Sequence, residues 1–281
     1  MNVAVVGTGN VGSALLFHIV DVPSIDMIQV MNLTHEWSTA AIMDVVSAKP
    51  WAGPRLTAAA FDQLDEVDVI VLTSGAQMKK GQGGKDVLNN NIEVTRNILD
   101  SRKLKPDVTI IALATPVDDI TVFIQRQYRL PVERVLGFGG DLDFNRLSYV
   151  LQSQGLPNTG IGIIGEHGQR MIPVYPGEKD FEQVAHKVRN FLGEITACGG
   201  SPRNLATGLL IARLVDSIVN DKNDVHYVCG FHPQHRLYLT WPYQIGHHGV
   251  AAPQPVSLPP KAQSALDALL ARKREELSAF D

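Results

Sequence analysis

Val3-Ala4-Val5-Val6-Gly7-Thr8-Gly9-Asn10-Val11-Gly12 is the stretch on which the fold of this chain turns. Its apolar run, Val3–Val6, is continuous rather than alternating, the pattern of a strand covered on both faces. The glycines after it follow the order G-x-G-x-x-G, and Ser13–Val20 continues as an apolar helix. In a strand–turn–helix of this kind the first glycine permits a tight turn and the second lets backbone approach a pyrophosphate. The third lets the helix pack closely on the strand. The helix amino end offers N–H groups and a partial positive charge to the anion. Gly7, Gly9, Asn10, Val11 and Gly12 are therefore candidate cofactor-binding residues for a dinucleotide.

Outward from this turn the pattern repeats. Met27–Met31, Val67–Leu72 and Val108–Leu113 read as buried strands, and Trp37–Val46 reads as a helix. Strands separated by helix-length segments predict right-handed βαβ units and a doubly wound parallel sheet, a Rossmann-type α/β domain over residues 1–140. An acidic residue about 20 positions after the glycines would accept the adenosine ribose hydroxyls. Asn32 stands there instead. A neutral amide still hydrogen-bonds a ribose and does not repel a 2′-phosphate, so NAD and NADP both remain open, with a lean to NAD. Only His35 in the following segment offers a partner for that phosphate.

After Gly137-Phe138-Gly139-Gly140 the texture changes, predicting a smaller α+β substrate domain over 141–281. Helices are expected over Asp141–Gln154, Phe181–Thr196, Leu205–Val219 and Pro259–Phe280, with a short apolar strand at Ile161–Ile164. Leu205–Val219 is apolar on most faces, which suits a domain or subunit contact. In the last helix Arg272, Lys273 and Arg274 read as a solvated face opposite Leu266, Leu269, Leu270 and Leu277.

The chain has 281 residues, 44% hydrophobic and 19% charged, with a formal net charge of −4. That is ordinary for a globular protein and speaks against a nucleic-acid partner, which would favour a basic surplus. No apolar run approaches the ~20 residues that span a bilayer, and Met1-Asn2 leads straight into the Val3–Val6 run, so no secretory leader is expected. Two cysteines, Cys198 and Cys229, are too few for a disulfide scaffold, so a cytoplasmic setting is expected. The histidines crowding 226–248 lack metal-ligand spacing, and no Gly-x-Ser-x-Gly elbow occurs.

Asp143-Phe144-Asn145-Arg146 places a carboxylate and a guanidinium three apart, on one helical face. His167 follows the Ile161–Ile164 run in Gly165-Glu166-His167-Gly168. Singly these suit a surface ion pair and a structural histidine. Behind a dinucleotide turn they supply what hydride transfer to or from a 2-hydroxy acid requires. With Gly7–Gly12, Ser74-Gly75-Ala76, Pro116-Val117-Asp118, Gly137-x-Gly139, Leu142-Asp143-x-x-Arg146 and Gly165–Gly168, the chain resembles the lactate/malate dehydrogenase family. The run Trp241–Val250 extends the resemblance over nearly its whole length.

The resemblance implies catalytic roles for His167 and Asp143. His167 exchanges a proton with the substrate C2 oxygen, and Asp143 orients and stabilises the imidazole. Arg146 binds the C1 carboxylate. Ser74, Gly75 and Thr115 fall at the cofactor, and Thr115 also at the substrate, where the family carries asparagine. Other departures lie in the substrate loop. The position of the carbonyl-polarising arginine falls on Gly84 with Lys85 beside it, and the position that reads the substrate side chain falls on Met78. Met78 points to an apolar or bulky side chain. The segment between Gly168 and Phe181 is short for the family. Arg203 stands where a small polar residue is usual, and in the pocket it would instead favour a second anionic group.

The expected function is thus an NAD(P)-dependent 2-hydroxy acid dehydrogenase or 2-oxo acid reductase on a non-standard substrate, assembled as a homodimer or homotetramer. Two alternatives stand beside it: a catalytically silent dinucleotide-binding protein acting through a partner, and an NAD-dependent glycosidase. The glycosidase would need a metal-binding Cys/His pair.

Overall fold

The computed structural model describes residues 1–76, 81, 83–199 and 204–278. Met78 and Arg203 lie outside the described residues. The first half runs β1 (Asn2–Val6), α1 (Asn10–Ile19), β2 (Met27–Met31), α2 (His35–Ala48), β3 (Leu56–Ala59), β4 (Val69–Leu72), α3 (Gly84–Leu99), β5 (Thr109–Ala112), α4 (Val117–Tyr128) and β6 (Val135–Phe138). The second continues with α5 (Gly140–Ser153), β7 (Gly162–Gly165), β8 (Met171–Val174), α6 (Phe181–Arg189), α7 (Phe191–Ala197), α8 (Leu205–Val219), β9 (Asp224–His232), β10 (Leu237–Gly246), β11 (Gly249–Pro253) and α9 (Pro260–Ser278).

The first six strands form the parallel order β3-β2-β1-β4-β5-β6. β1 is central, its Val3–Val6 paired with Ile28–Met31 on one side and Val69–Leu72 on the other. The chain winds outward in both directions from β1 and β4, so the crevice at their carboxyl ends is the switch point where an open α/β sheet binds its ligand. Apolar runs buried on both faces explain the continuous hydrophobicity of these strands, and the two faces carry separate core clusters.

The sheet does not stop at residue 140. β6 pairs antiparallel with β9 (Gly137↔Cys229, Phe138↔Val228), β9 with β10, and β10 with β7, while β7 pairs with β8. The second region is thus α+β as expected, but its antiparallel strands extend the first sheet. The expected helix Phe181–Thr196 is two helices, α6 and α7, divided at Asn190. α8 keeps its expected bounds and packs on α1. A Cβ on Gly208 would lie 2.5 Å from the Ala14 carbonyl carbon. Much of the apolar face of α8 is therefore consumed within the chain. The described helices include none long and apolar enough to cross a membrane.

Candidate active site

At the carboxyl end of β1 the glycines meet the steric demands predicted for them. Gly7 has φ +99°, and a Cβ there would lie 2.6 Å from Ser74 Oγ. A Cβ on Gly12 would collide with the Gly7 carbonyl oxygen at 2.0 Å, which is how α1 comes so close to β1. A Cβ on Gly9 meets nothing within 4 Å. Gly9 and Asn10 are exposed and Val11 is half-buried. No side chain caps the first turn of α1, so its amides remain available to an anion.

A cleft of about 730 Å³ opens from this turn, lined by Gly7, Gly9, Asn32, Ser74 and Gly75 together with Trp37. The open space over Gly9, the uncapped helix and the volume of the cleft fit a dinucleotide. Asn32 spends part of its amide on the turn itself: Nδ2 donates to Thr8 Oγ1 and Oδ1 accepts from Leu33 N at 2.8 Å. One N–H and one lone pair remain for a ribose. Among the described lining residues there is no Lys or Arg, Asp44 is present, and His35 is absent. A 2′-phosphate would meet no cationic side chain among these lining residues and one carboxylate, which favours NAD over NADP. Ser74 is tied back to β1 through N and Oγ, both donating to the Val6 carbonyl. Sequence reasoning passed over Trp37, although an exposed aromatic just past the N-cap Thr34 was a readable signal.

The second constellation gathers beyond β6. Asp143, on the first turn of α5, is 2% exposed and uses both oxygens. Oδ2 lies 2.7 Å from His167 Nδ1 and accepts from Gly168 N at 3.3 Å, while Oδ1 accepts from Arg146 NH1 at 3.3 Å. Burial works against charge on His167, but the Asp143 carboxylate, helped by that of Asp118, holds its pKa above the usual 6.5. Gly139 makes the seat: a Cβ there would stand 2.4 Å from His167 Cγ. The Arg146 guanidinium lies over the Phe191 ring at 5.6 Å. His167, Asp143 and Arg146 are thus brought into one group.

Thr115 is exposed at the end of β5. Its carbonyl accepts from Asn91 Nδ2, and Asn91 Oδ1 accepts from Ala76 N, both at 2.6 Å. Asn91 therefore couples the two loops at the cleft mouth, a role its place in a run of three asparagines did not signal. Asp118, three residues beyond Thr115, accepts from His167 N at 3.0 Å. Its burial pushes its pKa up to about 6 against the pull of Lys273. Lys85 is exposed in the first turn of α3.

One sequence reading needs correction. Lys273 is buried, not solvated, and ion-pairs with Glu166. Both cysteines are free, Cys229 buried and Cys198 exposed. The crowded histidines divide among separate tasks. His232 and His235 pack by Trp241, and His226 Nδ1 lies 2.7 Å from Asp141 Oδ2. His226 Nε2 lies 2.9 Å from Ser217 Oγ, so Ser217, His226 and Asp141 have the spacing of a nucleophilic triad. The Asp224 carboxylate 3.1 Å from Ser217 Oγ opposes the charge an oxyanion would develop there. The chain ties α8 to β9 and α5.

Comparison with known proteins matches residues 1–137 to the family profile described as lactate/malate dehydrogenase, NAD binding domain. An L-lactate dehydrogenase of Fervidobacterium nodosum is 27% identical over 278 residues, 89% of each chain. A malate dehydrogenase of Thermoplasma volcanium is 24% identical over 283 residues, 88% of this chain and 86% of the relative. The crystal structure of the minor L-lactate dehydrogenase of Enterococcus mundtii shares the fold, with a TM-score of 0.81 at 19% identity, over 100% of this chain and 98% of that one. Relatives named for lactate and for malate stand at similar distance, and the likeness extends along most of this sequence: the chain is lactate/malate dehydrogenase-like, with an NAD-binding domain of that kind over residues 1–137.

Proposed function

We propose that the protein interconverts a 2-hydroxy acid and a 2-oxo acid, using NAD, on a substrate other than plain lactate or malate. The observation that carries this is the convergence of His167, Asp143 and Arg146 at 2.7 and 3.3 Å. NAD, when bound, supplies the acceptor or donor for the hydride at C2. Asp143 holds Nδ1 of His167, which leaves Nε2 to take the C2 hydroxyl proton in oxidation and return it in reduction. Arg146 keeps donors beyond the one given to Asp143, and these bind the C1 carboxylate and orient C2. Gly7, Gly9, Asn10, Val11, Gly12, Asn32, Ser74 and Gly75 hold the dinucleotide, with Thr115 where its reactive end meets substrate.

A non-standard substrate is supported by the residues themselves. Gly84 brings no guanidinium to the substrate loop, and Thr115 offers one hydroxyl where the family has an amide. Lys85 is exposed nearby in sequence and lacks the planar fork of arginine. Met78 and Arg203 belong to the proposal as specificity positions. Residues 1–140 would form the cofactor region and 141–281 the substrate region. Exposed Trp37, Met43, Leu205 and Leu209 favour a homodimer or homotetramer, which light scattering would resolve.

The test is a panel of 2-oxo acids (pyruvate, oxaloacetate, branched-chain, aromatic, phosphonate- and sulfonate-bearing) followed at 340 nm with NADH. The proposal expects oxidation with at least one, faster than with pyruvate or oxaloacetate. Tight NADH binding with no turnover on any would point to a silent dinucleotide-binding protein. A preference for pyruvate or oxaloacetate would refute the non-standard substrate.

A further inference from the structure

Lys273 stands on the apolar stripe of α9, in heptad spacing with Leu266 and beside Leu269 and Leu270, and is only 8% exposed. An ammonium in such a place persists only when paired. Its Nζ lies 2.5 Å from Oε1 of Glu166, itself 2% exposed, whose Oε2 takes Arg170 Nε at 2.5 Å and Arg272 at 3.5 Å. Burial opposes the charge on Lys273, but Glu166 and Asp118 together hold its pKa above the usual value. Glu166 immediately precedes His167, and Asp118 accepts the His167 N–H. Glu166, joined in sequence to His167, thus pairs with an ammonium delivered by the carboxyl-terminal helix, and the same charge acts on the Asp118 carboxylate that holds the His167 N–H.

The helix is fastened for this at a second point. The buried Glu178 carboxylate accepts from Lys261 N at 2.9 Å and from Ala262 N at 2.7 Å, closing the first turn of α9. Leu269 Cδ2 would lie 3.2 Å from a Cβ on Gly165, so the helix also packs directly on the strand end that leads to His167.

We infer that Lys273 is a positioning residue of the His167 site, acting through Glu166, so that α9 is part of the catalytic apparatus. This rests on the proposed role of His167. Lys273 does not line the dinucleotide cleft. Its effect should appear in turnover and not in cofactor affinity, because no residue of α9 lines the dinucleotide cleft.

The experiment compares Lys273→Met, Lys273→Arg, His167→Asn and the exposed control Arg274→Ala, all in the full chain. It measures kcat on the best 2-oxo acid and the Kd of NADH by fluorescence. Lys273→Met leaves Glu166 paired with Arg170 and Arg272. The inference expects its kcat to fall about 10- to 100-fold, as for a catalytic group displaced by about 1 Å. NADH Kd should stay within about twofold, Lys273→Arg should restore most of the turnover, and Arg274→Ala should match the parent. Where Lys273→Met fails to fold, the double variant Glu166→Gln/Lys273→Met removes both members of the buried pair, leaves Arg170 and Arg272 their contacts with Glu276, and carries the same expectation. Wild-type kcat in the Lys273→Met variant or in the double variant, or equal losses of turnover and NADH affinity, would overturn the inference. If Lys273→Met is fully active while His167→Asn is dead, only the inference fails. If His167→Asn is itself fully active, the proposed function fails first.

Discussion

Replacing Gly139 by alanine adds one methyl group, and the structure says where it goes. The new Cβ would lie 2.4 Å from His167 Cγ, 2.6 Å from Nδ1 and 2.8 Å from Cδ2, whereas ordinary contact begins at 3.4 Å. The ring must retreat by about 1 Å, and Nδ1 starts from a 2.7 Å hydrogen bond to Asp143. A shift of that size removes most of a charge-assisted bond, about 1.5–3 kcal/mol. Misplacing a proton-transfer group by about 1 Å costs about 100-fold in rate, or about 2.7 kcal/mol. The two figures describe the same loss by different routes and agree. Gly139 does not line the dinucleotide cleft, so NADH binding should be spared. The assay is steady-state NADH oxidation at 340 nm alongside NADH fluorescence titration. We expect kcat/KM to fall about 100-fold with Kd for NADH within about twofold of the parent. Activity within twofold of the parent would refute the reasoning, because either the ring or the backbone could then yield without cost.

Three further outcomes follow from the same geometry. Burial lowers and Asp143 more than restores the pKa of His167, which ends above 6.5. Oxidation needs neutral imidazole, so kcat/KM for the hydroxy acid should fall as pH drops through that raised value, and reduction should fall as pH rises through it. Asp143→Asn should move both limbs to lower pH while reducing kcat about 10²- to 10⁴-fold, and an unmoved limb in the pH profile would count against the pairing. Arg146→Lys should raise KM for the 2-oxo acid at least about tenfold, since an ammonium cannot grip a carboxylate with two parallel bonds; an unchanged KM would remove the clamp. Burial raises Asp118 from 3.8 to about 6 in the folded protein, so the folded state binds that proton more tightly than the unfolded. Wild-type stability relative to Asp118→Asn should therefore decline by about 2 kcal/mol as pH rises from 4 past 6, then level off. Urea unfolding at pH 4, 5, 6 and 7.5 checks it, and a pH-independent difference would be inconsistent with a buried titrating carboxyl.

The parallel half was legible because its strands are buried on both faces. Met27–Met31 was bounded to the residue, and the helix Leu205–Val219 likewise. β9, β10 and β11 left no comparable mark. The alternation of Leu237, Leu239, Trp241, Tyr243 and Ile245 along β10 was a strand signal that Pro242 and the flanking histidines obscured, and these strands pair with segments as distant as Gly137 and Gly165. The short partner spacing of Asp143 and Arg146, and their place behind the glycine turn, made those two residues readable. Glu166 and Lys273 are 107 residues apart, and nothing local distinguishes a buried pair from two solvated charges. One signal was available: Lys273 falls seven residues after Leu266 and three after Leu270, on the stripe that faces the core.

The decisive quantity is the turnover of His167→Asn on the best 2-oxo acid, read in a single-turnover experiment with NADH already bound. Loss of His167 as proton donor predicts a rate at least about 10²-fold below the parent, with NADH affinity preserved. A rate equal to the parent's would show that the imidazole beside Asp143 and Arg146 is not the group that handles the proton.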